Sequence, residues 1–283
     1  MDRLRSVLRF VRSNIAVLSH MVLYVALLFT LTACGAMRGY TVKGDNDPHH
    51  GVRRAHTMPI QGIDIARYQG DVDFYAARQA GMRFVYIKAT DGGDYLDPNF
   101  HSNWRRAHDA GLARGAYHFM YWCRPAEEQA AWFIKNVPAD PTALPPVLDL
   151  EWNSHSQTCK RKVSPEEALR SARVILAAME RHTGKVPVIY TDINFHRDVL
   201  EGHGFDNPFW LRSTAAEPHE VYRRRDYAFW QWTKTGTVPG IRGEVDRNVF
   251  YGGETEWVQF LLTGCDPRTA HILGPQGRCS SLK

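Results

Sequence analysis

A closed α/β barrel of the (β/α)8 type, with its later helices short or missing, is the fold this sequence predicts. Short apolar, β-rich runs alternate with helix-like stretches from about Pro59 onward, which implies βαβ units and a mostly parallel sheet. About eight strand candidates fit into roughly 200 residues, the number such a barrel needs. The alternative is a doubly wound open sheet, but no glycine-rich phosphate turn follows any strand.

The elements follow in order. Ile60–Ile65 is the first apolar run, and Asp73–Ala80 is helix-like. Phe84–Thr90 is β-rich and leads into a helical stretch, Asn99–Ala110. Ala113–Tyr121 reads as a strand, Pro125–Asn136 as a helix and Val147–Glu151 as a strand. The next helix has the clearest signals. Ser164 offers an N-cap, Pro165 fits the first helical position, and Glu167 completes a capping box. This helix should run to about His182 and stop at Gly184. Val188–Thr191, Phe209–Arg212, Ala228–Thr233 and Val245–Val249 complete the strands, with a short helix at Asn194–Glu201.

The chain has 283 residues, 44% hydrophobic and 23% charged, which describes a folded globular protein. Four arginines against Asp2 in residues 1–14 supply +3 of the formal net charge of +5, leaving +2 for everything after them. The body therefore lacks the charge surplus of a nucleic-acid binder. The basic start and the apolar run Ile15–Thr32 read as an export signal, residues 1–33. Its Leu31-Thr32-Ala33-Cys34 ending resembles the bacterial lipoprotein box, which implies a lipid on Cys34 and a membrane as partner. An uncleaved membrane anchor and plain secretion are the alternatives, and all three place the body outside the cytoplasm. Gly35 after the cysteine favours the outer membrane if the cell is Gram-negative. Residues 34–58 are polar and read as a flexible tether, 59–262 as the folded domain and 263–283 as a tail.

Export permits disulfides. Cys123, Cys159, Cys265 and Cys279 allow three pairings, and neighbourhood favours Cys123–Cys159 and Cys265–Cys279. No C-x-x-C spacing suggests a structural zinc site.

The informative segment is Val147-Leu148-Asp149-Leu150-Glu151. Strand residues alternate faces, so Asp149 and Glu151 point one way and the two leucines the other, toward covering helices. Paired carboxylates at the C-terminal end of a barrel strand sit where barrel active sites form. Their repulsion would keep one protonated beside an ionised partner, the equipment of glycoside hydrolysis. Taken alone, a D-x-E at a strand end is common. Asp64 ends the first strand and Asp246 lies near the last, and closure would bring these two together. Tyr117, Tyr190, Trp210 and Trp230 stand at strand ends, where aromatic faces can stack on sugar rings. Phe119 and Phe229 read as core.

These blocks resemble the glycoside hydrolase family 25 lysozymes, the Chalaropsis-type N-acetylmuramidases. Gly62-Ile63-Asp64-Ile65-x-x-Tyr68-Gln69-Gly70 is similar to their D-I/V-S-x-W/Y-Q opening, and Phe84–Gly92 to their f-x-I-K-A-T-E-G strand. Leu148–Glu151 matches their L-D-x-E. Tyr190-Thr191, Trp230-Gln231-Trp232 and Gly240-x-x-Gly243-x-Val245-Asp246-x-Asn248 follow in family order. The resemblance implies retaining hydrolysis of the β-1,4 bond between N-acetylmuramic acid and N-acetylglucosamine in peptidoglycan strands. Glu151 falls on the proton donor, and Asp149 on the residue that orients the substrate's N-acetyl group or attacks directly. Asp64 and Asp246 would bind substrate, and no cofactor or metal is implied. Three departures from the pattern bear on the rim: Asp91, an expected substrate-binding residue, stands for the usual Glu, Ala66 for Ser, and Leu211-Arg212-Ser213 for an apolar-small-aromatic run. A non-catalytic cell-wall glycan binder on the same fold is the competing reading, since fold does not fix function. A chitinase-like activity lacks its D-x-x-D-x-D-x-E signature, because Val147 stands two before Asp149. Oligomeric state is not encoded in any of these motifs.

Overall fold

The computed structural model describes residues 50–223, 225–265, 271–273 and 279–281, with side chains described for 52–223 and 225–265. The expected signal, Cys34, most of the tether and the side chain of Cys279 lie outside the described residues.

The strands of the main sheet are β1 (Gln61–Ile65), β2 (Met82–Asp91), β3 (Tyr95–Leu96), β4 (Ala113–Phe119), β5 (Val147–Leu150), β6 (Val188–Thr191), β7 (Phe209–Arg212), β8 (Phe229–Gly236) and β9 (Val245–Phe250), and a separate antiparallel pair is made by His271–Leu273 and Cys279–Ser281. The order β1-β9-β8-β7-β6-β5-β4-β2 closes through a β1–β2 pairing, making an eight-stranded barrel with β3 as an appendage on β2. Seven strands are parallel; β9 runs antiparallel to both neighbours. The reason is the β8–β9 connection. It carries no helix, and a short link can join only antiparallel neighbours. The reversal puts the start of β9, and with it Asp246, at the end of the barrel where the other strands finish.

Among the described residues, five helices of appreciable length cover or close the barrel: α1 (Phe74–Gln79), α2 (Phe100–Asp109), α3 (Ala126–Asn136), α4 (Pro165–Thr183) and α5 (Glu254–Thr263). The links after β6 and β7 carry only short helical turns, as expected for the later helices. Ser164 caps α4 by accepting from Glu167 N, and Gly184 ends it in the left-handed region at φ 71°. The capping box is only half made, because the Glu167 carboxylate turns to Arg161 at 3.0 Å.

Alternation along the strands builds two cores. Ile63, Leu148, Leu150, Ile189 and Leu211 face outward and pack with the helices. Phe84, Tyr86, Val147, Val188 and Phe229 fill the interior, with Trp257 and Phe260 of α5 closing the N-terminal end. Gly62 and Gly115 make room for this filling: a Cβ on Gly62 would sit 2.4 Å from the Phe84 ring, and one on Gly115 2.2 Å from Tyr86.

The last residues of the segment expected to be a tether are packed on the domain. Val52 and Ala55 are buried, and Arg54 bonds Glu217 and Tyr251, so the folded domain starts before Pro59.

Candidate active site

A cleft of about 700 Å³ opens at the C-terminal end of the barrel, within the size range of small-molecule sites. Asp64, Asp149, Glu151 and Asp246 all line it. Period-two alternation delivers the central pair: Val147 fills the barrel interior, Asp149 is two residues higher on the same face, and Glu151 stands at the rim. Asp149 is buried, and its Oδ1 has no hydrogen-bond partner. Burial pushes its carboxyl well above the usual range, and the charge of Glu151 adds to this. Glu151 is pushed up to about 7, first by burial and then by Asp192. Asp192 is thus a further like charge acting on Glu151, beside the mutual repulsion of Glu151 and Asp149. Asp192 follows β6 directly and caps the next helical turn by accepting from Phe195 N at 2.7 Å. As a carboxylate one step past a strand end, it satisfies the same positional rule as Asp149, but its capping role hides it among ordinary turn residues.

Asp64 and Asp246 are direct cross-strand partners on β1 and β9. Asp64 Oδ1 accepts from Gln231 Nε2 at 2.9 Å and from Asn248 Nδ2 at 2.8 Å. Burial still lifts Asp64 to about 6, because two neutral donors offset only part of its desolvation. Asp246 reaches about 8, by burial and then by the neighbouring Asp64. Two aromatic residues lock this arrangement. The Tyr190 hydroxyl donates to Gln231 Oε1 at 2.8 Å, and Trp210 Nε1 donates to Asn248 Oδ1 at 2.8 Å. Their rings meet edge to face at 4.9 Å. Tyr190 and Trp210 line the cleft as expected, and they also hold the two amides that hold Asp64. Gln231 and Asn248 carry no charge and gave no chemical signal in the sequence.

Tyr117 also lines the cleft. Burial, then the charges of Asp64, Asp149 and Asp246, hold its hydroxyl protonated. Two expected binding residues stand elsewhere. Trp230 is wholly buried, faces outward into the sheet–helix core and donates to Ser213 O at 2.7 Å. The cause is alternation: Gln231 takes the inward position on β8, so Trp230 cannot. Asp91 does not line the cleft; it pairs at 2.7 Å with Lys88, which does.

The rim beyond Glu151 is bolted down. Cys123 and Cys159 form a disulfide with Cα atoms 5.7 Å apart, as neighbourhood suggested. Trp122 Nε1 donates to Glu151 O at 2.6 Å, and Asn153 accepts from Trp122 N at 2.9 Å. Trp152 lines the cleft and donates to Asp198 at 2.8 Å. Cys265 is disulfide-bonded too, while the side chain of its expected partner Cys279 lies outside the described residues. Among the described residues, no group of three or more His, Cys, Asp and Glu side chains is arranged to hold a metal.

Residues 63–241 match the model of a protein family described as glycosyl hydrolases family 25. The protein YegX of Escherichia coli O157:H7 is 36% identical over 212 residues, covering 71% of this chain and 73% of that one. Lysozyme M1 of Streptomyces globisporus is 34% identical over 209 residues, covering 70% of each. A family 25 glycosyl hydrolase structure from Bacillus anthracis superposes with a TM-score of 0.69 at 32% identity, covering 76% of this chain and 98% of that one.

Proposed function

This chain belongs to glycosyl hydrolase family 25, and from that premise we propose a mechanism in which Glu151 is the proton donor of a retaining muramidase. The protein is a glycoside hydrolase of the lysozyme type, and peptidoglycan is its substrate. The bond cleaved is the β-1,4 link from N-acetylmuramic acid to N-acetylglucosamine.

One observation supports this reading above the others: Glu151 stands in a carboxylate-lined cleft with its acidity weakened to about 7. A carboxyl that keeps its proton near neutrality can protonate a leaving sugar oxygen, and its conjugate base can later activate water. Asp149 stands on the same strand face with one buried oxygen unpartnered. That oxygen can accept the N–H of the substrate's N-acetyl group, turning its carbonyl oxygen toward the anomeric carbon. Loss of Asp149's proton on substrate binding would then stabilise the positive charge that develops there. Asp64, fixed by Gln231 and Asn248, and Asp246 beside it hold the sugar and set the field around the pair.

The wall substrate and the Cys123–Cys159 disulfide support an exported protein. The finer placement is a lipid anchor on Cys34 followed by a tether. Cys34→Ser should abolish lipid labelling and membrane retention, whereas unchanged fractionation would indicate an uncleaved anchor. The activity is tested by digesting purified peptidoglycan and determining by mass which sugar carries the new reducing ends. Muramic acid ends are expected; ends on glucosamine would overturn the bond assignment, and no new ends would favour a glycan binder. Proton NMR of the first-formed anomer tests retention.

A further inference from the structure

Five lysines and arginines line the cleft, and three of them are held by protein carboxylates. Lys88 pairs with Asp91 at 2.7 Å. Asp198 takes both Lys162, at 3.5 Å, and Arg197, at 2.9 Å. The side chains of Arg212 and Lys234 have no hydrogen bond and no ion pair among the described residues. They stand on one wall. Arg212 ends β7 and pairs in register with Gln231, and Lys234 lies three residues further along β8. Arg212 is half-buried and faces Glu151, Asp192 and Asp246 only at longer range.

The surrounding acids favour the Arg212 charge at a distance, but none of its guanidinium N–H groups has a hydrogen-bonded partner among the described residues to replace the water lost on burial, and that part of the cost remains. The cost is recovered if a ligand supplies the partner. A guanidinium fork matches a carboxylate in plane, with two parallel N–H···O bonds. The muramic-acid sugar differs from its neighbour in bearing a lactyl branch. That branch ends in a free carboxylate where no peptide is attached, and otherwise in a stem peptide with carboxylates of its own.

We infer that Arg212, assisted by Lys234, is a specificity site that binds a carboxylate on the muramic-acid branch of the substrate. This rests on the peptidoglycan reading above and adds to it the group that the β7–β8 wall recognises. It also explains how a cleft floored by carboxylates accepts an anionic polymer: the repulsion is reversed locally where the branch passes Arg212.

Binding tests the inference without turnover. The full chain carrying Glu151→Gln is titrated with glycan strands of one length in three forms. These are peptide-bearing strands, strands stripped of peptide with free lactyl carboxylates, and stripped strands whose carboxylates are converted to neutral methylamides. Carboxylate strands should bind about tenfold more tightly than amidated ones, the size of one charge-assisted contact. Added Arg212→Gln should bring the ratio close to one, Arg212→Lys should restore part of it, and the exposed Lys234→Gln should lower it more weakly. Preference for the stripped strands assigns the lactyl carboxylate; preference confined to peptide-bearing strands assigns the stem peptide. Equal binding of all three forms, or a preference that survives Arg212→Gln, overturns the inference. Failure of the muramidase reading shows separately, as an absence of new reducing ends with the unmutated chain.

Discussion

The two ends of the barrel are built from the same strands and oppose each other chemically. On β8 the inward face passes from Phe229 at the closed end to Gln231 at the open end. On β5 it passes from Val147 to Asp149 and, just past the strand's end, to Glu151, and on β9 from Phe250 back to Asn248 and Asp246. At the closed end, Phe229 meets Phe250 at 5.4 Å and Phe260 at 5.4 Å, and Phe250 meets Trp257 at 5.2 Å. Aromatic area removed from water there stabilises the fold. At the open end, burial acts on carboxylates and works against their charge. Two residues along one strand therefore separate a stabilising position from a destabilising one that can do chemistry, the division expected of barrel enzymes.

Substitutions at the two ends should have effects of different kinds. The largest effect belongs to the open end. Glu151→Gln keeps the side-chain shape but removes the transferable proton, so turnover on peptidoglycan should fall by about 10²–10⁴ while glycan binding survives. A variant that retains the wild-type rate would move the proton donor elsewhere in the cleft, first to Asp64 or Asp246.

At the closed end, Phe229→Ala should cost about 3–5 kcal/mol in denaturant unfolding, since the ring is wholly buried among aromatic neighbours. Its pH–rate profile should keep the wild-type shape. A shifted profile without lost stability would break the division between the ends.

The Cys123–Cys159 bridge belongs to the open end but acts through the chain. Removing it with a double Cys→Ser change should cost about 2–4 kcal/mol. It should also lower the turnover rate, because Trp122, beside Cys123, holds the backbone carbonyl of Glu151. Unfolding curves and steady-state rates on the same preparation check both effects.

How legible each end was in the sequence follows from the same physics. The eight barrel strands are readable because short β-rich runs alternate with helical stretches. β3 is only two residues long and offers no period to detect. α5 is obscured because Val258 and Leu262 are exposed, which blurs the apolar stripe marked by Trp257 and Phe260. The four clustered acids are readable because charge at a barrel-strand end is conspicuous. Gln231 and Asn248 are not, since neutral amides are common everywhere and their role exists only once β1, β8 and β9 are adjacent. Trp230 is the instructive error. The alternation that places Asp149 with Glu151 also places Trp230 opposite Gln231, and aromatic identity is no guide to which face it occupies.

The smallest expected effect sharpens the comparison most, because its sign is opposite at the open end. Glu151 is raised from 4.5 to about 7 on folding, so the folded chain binds its proton more tightly than the unfolded chain does. Stability must then fall as pH rises through that window, with the penalty absent below about 4.5 and complete above about 7. At about 1.4 kcal/mol for each pH unit, the penalty is at most roughly 3 kcal/mol, reduced by coupling to the neighbouring acids. Glu151→Gln removes the titrating group. It should therefore raise the thermal midpoint at pH 8 and leave it nearly unchanged at pH 4, while Phe229→Ala lowers the midpoint at both. Calorimetry of the three proteins at the two pH values distinguishes the patterns. A Glu151→Gln variant less stable than wild type at pH 8 would mean that the carboxylate is held by favourable contacts. The open end would then be a stabilised site, contrary to the cost that burial imposes on its acids.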